Sequence, residues 1–192
     1  MRYTVDQYRR EISSKKILVV GMGRSGVAAV KELNTLGATV TAQDINTVDK
    51  IDPKFITFLE REGIDYYFGS TPEHMECFDV IVLSPGVNPN LEFLNEGRSK
   101  GVEVIGELEM AYRLSRGKYV AITGTNGKTT TTSLVGKIFE ESGRKYTVVG
   151  NIGVATISKV QESTDDEWII VEASSFQLET ISQFRPMVSA IL

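Results

Sequence analysis

The segment Thr123-Gly124-Thr125-Asn126-Gly127-Lys128-Thr129-Thr130 concentrates residue types that grip a nucleoside triphosphate. Its small residues let consecutive backbone N–H groups curl into a nest around phosphate oxygens. Lys128 can carry an ammonium to the outer phosphates, and Thr129 can set a hydroxyl on Mg²⁺. A hydrogen bond to a charged group contributes about 1.5–3 kcal/mol, so several outweigh a mildly acidic protein. The strict P-loop pattern asks for glycine where this chain has Ile122, so the loop is a shorter variant. Glu172 ends the apolar run Trp168-Ile169-Ile170-Val171. A carboxylate closing a buried parallel strand beside such a loop is placed to hold Mg²⁺; the plainer reading is an acid solvated at a strand end. Lys128 and Glu172 are therefore the candidates for phosphoryl-transfer chemistry, with ATP and Mg²⁺ as cofactors.

Gly21-Met22-Gly23-Arg24-Ser25-Gly26 fits G-x-G-x-x-G between a strand pattern and a helix pattern. Glycines allow a tight turn and a close approach of backbone to ligand. The helix start that follows offers free N–H groups, worth about 0.3–1 kcal/mol to an anion. Asp44 closes the next strand roughly 20 residues on, where a ribose-binding acid would stand. The motif does not separate NAD from another nucleotide diphosphate, because the pyrophosphate is common to both. A glycine turn that merely packs helix on strand is the bland alternative.

These residues need a scaffold of alternating strands and helices. Lys16–Val20 reads as a strand buried on both faces. A helix carrying Val27, Val30 and Leu33 ends near Gly37, and 38–43 is a second strand. Phe55, Phe58 and Leu59 mark a helix, 79–83 a strand closed by Ser84-Pro85-Gly86, and Leu91 and Leu94 another helix. A strand at 102–105 and a helix at 108–114 follow. The polar stretch Ser115-Arg116-Gly117-Lys118 reads as a short linker. Beyond it come a strand at 119–123, a helix with Leu134, Val135, Ile138 and Phe139 in i, i+4 pairs, and strands at 146–149, 168–171 and 187–192. The pattern predicts an α/β protein. Its first domain, residues 1–116, has a parallel, doubly wound sheet; the second, 117–192, restarts the pattern around the glycine loop and reads as incomplete. The apolar end Ala190-Ile191-Leu192 leads us to expect a truncated second domain, inactive alone, since termini are usually exposed and polar.

The chain has 192 residues, a formal net charge of −4 and one cysteine, Cys77. An acidic balance argues against nucleic-acid binding. A lone cysteine fits a reducing cytoplasm, and no stretch has the length of a membrane helix or the form of a signal peptide. His74 reads as a solvated surface residue; Cys77 and Trp168 read as packing residues.

Taken together, Thr123–Thr130, Gly150-Asn151-Ile152-Gly153 and Glu172-Ala173-Ser174-Ser175-Phe176-Gln177-Leu178-Glu179 resemble the Mur ligases and their folylpolyglutamate synthetase relatives. The Ser-Ser-Phe-Gln-Leu-Glu stretch and Ser84-Pro85-Gly86 are most similar to the D-glutamate-adding branch. The resemblance runs from about Lys16 to Leu192. It implies an ATP-dependent ligase of peptidoglycan precursor synthesis, joining D-glutamate to UDP-N-acetylmuramoyl-L-alanine through an acyl phosphate. It implies a Rossmann-like first domain that holds UDP rather than NAD, with Arg24, Ser25, Ser84 and Gly86 near the uridine, and a P-loop-type ATPase second domain; Gly23, Asp44 and Asn46, from the glycine loop and the strand end, join the candidate substrate-binding residues. Asn151, Ser174 and Gln177 would face the muramoyl peptide, and Lys128, Thr129 and Glu172 would serve ATP and Mg²⁺. A third domain, a second-metal histidine and a carbamylated lysine would lie beyond Leu192. The expected partners are small molecules, with no nucleic acid, no membrane and a monomeric state. Asp44-Ile45-Asn46 departs from the family, which often has a basic residue there. Another Mur-type ligase or a folylpolyglutamate synthetase is the alternative within the fold; an NAD-dependent oxidoreductase or a non-catalytic nucleotide-binding module is the alternative outside it.

Overall fold

The computed structural model describes residues 4–192, which fall into two units, one ending at Glu107 and the next starting at Leu108. In the first unit, β1 (Lys16–Val20) lies between β2 (Thr39–Asp44) and β4 (Val80–Leu83), with β3 (Asp65–Phe68) and β5 (Glu103–Gly106) at the edges. The order is β3-β2-β1-β4-β5, and every pairing is parallel. Ile17, Leu18, Val19 and Val20 are at most 3% exposed, as a strand covered on both faces requires. The first helix, α1 (Val5–Ile12), is opened by a capping box between Thr4 and Gln7 and buries only Ile12. Ala29, Val30 and Leu33 of α2 (Arg24–Thr35) are fully buried, each large one contributing about 1.5–3 kcal/mol. Asp52 caps α3 (Pro53–Glu62), proline occupies its first turn, and Gly63 ends it in the left-handed region. The helix α4 (Glu92–Ser99) buries Leu94 beside Leu18, Val20, Ile81, Leu83 and Val102.

The second unit begins with α5 (Glu107–Leu114), only its first residue falling in unit 1, and holds a four-stranded parallel sheet, order β7-β8-β6-β9. Its strands are β6 (Lys118–Thr123), β7 (Tyr146–Gly150), β8 (Trp168–Glu172) and β9 (Val188–Ile191). The helices are α6 (Lys128–Glu141) and the one-turn α7 (Ser175–Leu178). The division falls ahead of the linker expected near residue 116, and packing explains it. Leu108 and Tyr112 join Tyr119, Ile169, Val171 and Phe184 in one core cluster. Tyr112, Tyr119 and Phe184 meet edge to face at 5.2–5.6 Å. Glu109, with no exposed surface, accepts the backbone N–H groups of Ser182, Gln183 and Phe184 at 2.8–2.9 Å and Arg113 Nε at 2.6 Å. The 115–118 stretch is a fixed turn rather than a loose linker. Ser115 is buried, donating to Ala111 O at 2.6 Å and lying 2.9 Å from the Tyr119 hydroxyl.

The apolar pairs of α6 divide between sheet and solvent, and one other expectation is corrected. On α6, Val135 and Phe139 pack on the sheet, while Leu134 and Ile138 stand 58% and 57% exposed. Four apolar positions in adjacent pairs span more arc than one sheet face can cover. Cys77 is exposed rather than packed, because the 3₁₀ turn Met75–Cys77 buries Met75 instead. No helix among the described residues is long and apolar enough to cross a membrane.

Candidate functional site

In unit 2 the loop after β6 enters α6 through Gly127, whose φ of +78° is a left-handed conformation that favours glycine. No side chain caps the start of α6, so its first-turn amides face outward. Thr125, Asn126 and Thr130 are exposed along the loop. Gly124 admits the close pass of residue 192, and Thr125 N donates to Leu192 O at 3.1 Å. Lys128 Nζ folds back to donate to Gly124 O at 2.7 Å and Thr125 O at 3.2 Å. The ammonium is thus held over the loop by weak neutral acceptors that phosphate oxygens can replace. Thr129 Oγ1 donates to Glu172 Oε2 at 2.9 Å, and Glu172 is 4% exposed. The solvated-acid reading of Glu172 therefore gives way to a buried carboxylate aimed at the loop.

A hydroxyl and one carboxylate at this spacing suit Mg²⁺, which keeps several waters and takes few protein oxygens alongside phosphate. Among the described residues no group of three or more His, Cys, Asp or Glu side chains could hold a metal by themselves. The donor set therefore fits an ion brought in with a phosphate ligand. The neighbouring strand ends complete the rim. Asn151 N donates to Glu172 O at 3.0 Å, just past β7. Ser174 and Gln177, expected to face substrate, form a capping box that starts α7: Ser174 N donates to Gln177 Oε1 at 2.9 Å, and Gln177 N to Ser174 Oγ at 3.3 Å. The signal for α7 was present as Ser-x-x-Gln, but a single turn has too little periodicity to stand out.

In unit 1 a cleft of about 620 Å³ opens at the carboxyl ends of β1, β2 and β4. The strand order changes direction at β1, so the cleft lies where parallel sheets usually take ligands. Gly23 starts α2 without a side-chain capping bond, so the helix N-terminus points its amides past the glycine loop. Asp44 turns inward. Its Oδ2 accepts Met22 N at 2.5 Å, and its Oδ1 accepts Asn46 N and Nδ2 at 2.8 and 2.9 Å. Both oxygens are engaged in fastening the glycine loop to the end of β2. Ser84 Oγ donates to Gly21 O at 2.5 Å and braces the same loop. Gly86, at φ +91°, and Asn46 line the cleft. Gln43, Val87, Leu91 and Phe93 line it too, and sequence reading passed over them. For Gln43 the register with Val20 is the missing signal.

The family description "Mur ligase MurD-like, N-terminal domain" matches residues 15–106, and "Mur ligase middle domain" matches 122–192. The chain belongs to the Mur ligase family. The two matched Mur ligase segments fall within the two structural units. A UDP-N-acetylmuramoylalanine–D-glutamate ligase of Alkaliphilus oremlandii is 50% identical over 184 residues, covering 94% of the chain and 40% of that protein. The ligase of the same name from Clostridioides difficile is 42% identical over 183 residues, covering 95% and 41%. The chain thus spans about 40% of the length of the curated Mur ligases it matches. Among solved Mur ligases, the UDP-N-acetylmuramate:L-alanyl-gamma-D-glutamyl-meso-diaminopimelate ligase of Neisseria meningitides shares the fold. It does so at TM-score 0.54 and 23% identity, over 92% of this chain and 60% of that one. MurC of Thermotoga maritima gives 0.53 and 20%, over 93% and 41%. With a Mur ligase domain matched over the first glycine loop, the NAD reading of that loop loses its support.

Proposed function

We propose that the chain serves the ATP-dependent ligation of D-glutamate to UDP-N-acetylmuramoyl-L-alanine, unit 1 taking the UDP end of the substrate and unit 2 taking ATP and Mg²⁺. The observation that carries this reading is the contact of Thr129 with a buried Glu172 beside Lys128, at the mouth of a parallel sheet. The names of relatives at 42–50% identity support the choice of D-glutamate. A free Cys77 fits a reducing cytoplasm.

A carboxylate is a poor electrophile at neutral pH. ATP supplies the phosphoryl group that turns it into an acyl phosphate, which the amine of D-glutamate opens with loss of phosphate. The protein aligns and neutralises charge. Lys128 leaves the carbonyls of Gly124 and Thr125 for phosphate oxygens. The amides of Gly127 to Thr130 would share the remaining charge, and Thr129 and Glu172 are the residues that would hold Mg²⁺, which would add charge neutralisation at the phosphates. Asn151, Ser174 and Gln177 orient the muramoyl peptide. In unit 1 the amides at Gly23, Arg24 and Ser25 receive the pyrophosphate, while Asp44, Asn46, Ser84 and Gly86 shape the uridine end. No side-chain nucleophile is required.

Calorimetric titration of the 192-residue chain with Mg·ATP and, separately, with UDP tests the assignment. Lys128→Ala should weaken Mg·ATP at least about 100-fold, the equivalent of losing two charge-assisted bonds. UDP affinity should stay within about twofold, since the alanine touches nothing in the unit 1 cleft. Equal Mg·ATP affinity in variant and parent rejects the triphosphate site. Loss of UDP binding in the same variant rejects the division of labour.

A further inference from the structure

We propose that Asn126 is a modification site: it deamidates spontaneously while the phosphate loop is empty, and a bound ligand shields it. The shielding rests on reading that loop as the ATP site. Of the seven asparagines in the chain, only Asn126 is followed by glycine, and no aspartate precedes a glycine. Asn126 and Gly127 are both exposed, between the end of β6 and the start of α6. Among the described residues, neither the Asn126 carboxamide nor the Gly127 N–H has a hydrogen-bond partner. Gly127 has no Cβ to crowd its own nitrogen, and glycine leaves a φ of +78° at little cost. The other asparagines lack these features. Asn88 precedes proline, which has no N–H. Asn151 precedes Ile152, whose branched side chain crowds the nitrogen. The Asn46 carboxamide is held by Asp44 Oδ1 at 2.9 Å.

Water is the only co-reactant. The Gly127 nitrogen gives its proton to solvent and attacks Cγ of Asn126. A C–N bond forms, and the carbonyl π electrons move onto Oδ1. The oxyanion then collapses, the carboxamide C–N bond breaks, and its nitrogen takes a proton from solvent and leaves as ammonia. Water opens the cyclic imide at one carbonyl or the other, leaving aspartate or isoaspartate. Nothing is oxidised or reduced. The loop favours both anionic stages. No side chain caps α6, whose positive end begins at this turn, and Lys128 Nζ lies over the loop, 2.7 Å from Gly124 O. A field suited to phosphate oxygens also suits a deprotonated amide and an oxyanion. A bound triphosphate removes that advantage by filling the nest with negative charge. Deamidation in turn spoils the nest. Either product puts a carboxylate where phosphate belongs, and isoaspartate also lengthens the main chain by a methylene.

The test is peptide mapping by mass spectrometry of the 192-residue chain, incubated at mildly alkaline pH with the urea-denatured chain beside it. In the native chain Asn126 should deamidate ahead of every other asparagine. If it stays intact there while the denatured chain deamidates at the same position, the fold blocks the attack and the proposal is overturned. Mg·ATP at about ten times its dissociation constant should slow the reaction about tenfold, in proportion to the loops left empty. UDP should leave the rate unchanged. Asn126→Asp, one of the products, should bind Mg·ATP at least about tenfold more weakly, because like charges meet at the phosphates. Parental affinity in that variant overturns the damage assigned to deamidation. Calorimetry separates the remaining failures. Binding of Mg·ATP without slowing overturns the shielding alone. Absence of both binding and slowing overturns the triphosphate reading of the loop, while the deamidation site stands.

Discussion

The loops at 21–26 and 124–127 each leave a buried parallel strand and open a helix of at least twelve residues, yet their side chains do opposite things. In the first, the Asp44 carboxylate and the Ser84 hydroxyl are spent on the turn. Asp44 holds Met22 N, Ser84 holds Gly21 O, and Gly26 lies against Gly21. In the second, Lys128, Thr129 and Glu172 make only bonds that a phosphate and a metal ion can replace. A helix N-terminus offers any anion the same modest attraction. On the proposed reading, what separates a pyrophosphate rest from a place of phosphoryl transfer is the ammonium, hydroxyl and carboxylate that stay exchangeable.

The largest expected effect breaks the rigid loop. A Cβ at Gly26 would lie 2.5 Å from Ser84 Oγ and 1.8 Å from Gly21 O, and the second is a backbone contact that no rotamer relieves. Gly26→Ala should destabilise unit 1 by about 3 kcal/mol or more, beyond ordinary overpacking because backbone must move. Urea unfolding followed by circular dichroism measures it. The sole tryptophan, Trp168, reports unit 2 separately through its fluorescence and should keep its transition. A variant of parental stability would show that the first loop is not locked in the way its contacts indicate.

A smaller effect should sharpen the contrast at the exchangeable loop. Glu172→Gln keeps an acceptor for the Thr129 hydroxyl but removes the charge a metal ion would use. We expect Mg·ATP affinity to fall about tenfold, with metal-free ATP bound as well as before. Titrations with and without Mg²⁺ give the ratio. A ratio unchanged from the parent would mean that Glu172 does not face the metal, leaving the two loops closer in kind.

How far this contrast could be read from sequence depends on range. Both loops, the strands beside them and Glu172 were legible because strand, glycine turn and helix are consecutive in the chain. The β3 strand was not: Asp-Tyr-Tyr-Phe lies at a sheet edge with its tyrosines 36% and 39% exposed, so no alternation marks it. The inward turn of Asp44 was hidden as well. A strand-end acid beside G-x-G-x-x-G reads as a ribose ligand, and only the loop's amides reveal that it serves the turn. Glu109 is the clearest case. Its three amide partners lie 73 to 75 residues away, and Ser115–Lys118 has a linker's composition, so local pattern puts a boundary after α5 where the contacts divide the chain before it.

The smallest expected effect is a control outside both loops. Lys100 Nζ lies 2.7 Å from Glu76 Oε2, and that hydrogen bond holds the Glu76 carboxyl down at about 2 from an ordinary 4.5. A group whose folded pKa is depressed stabilises the fold above the unfolded value, and the benefit disappears as pH falls from about 4.5 toward 2. Lys100→Met should therefore lower the melting midpoint slightly at pH 5 to 7 and match the parent near pH 2, with the small size expected of an exposed pair. UDP and Mg·ATP affinities at neutral pH should not change. The UDP result is the informative one, because α4 starts with Glu92 and Phe93 in the cleft wall and ends next to Lys100. If the substitution alters UDP binding, then α4 carries strain from its far end into the cleft, and the first site is less rigid than the bonds of Asp44 and Ser84 make it.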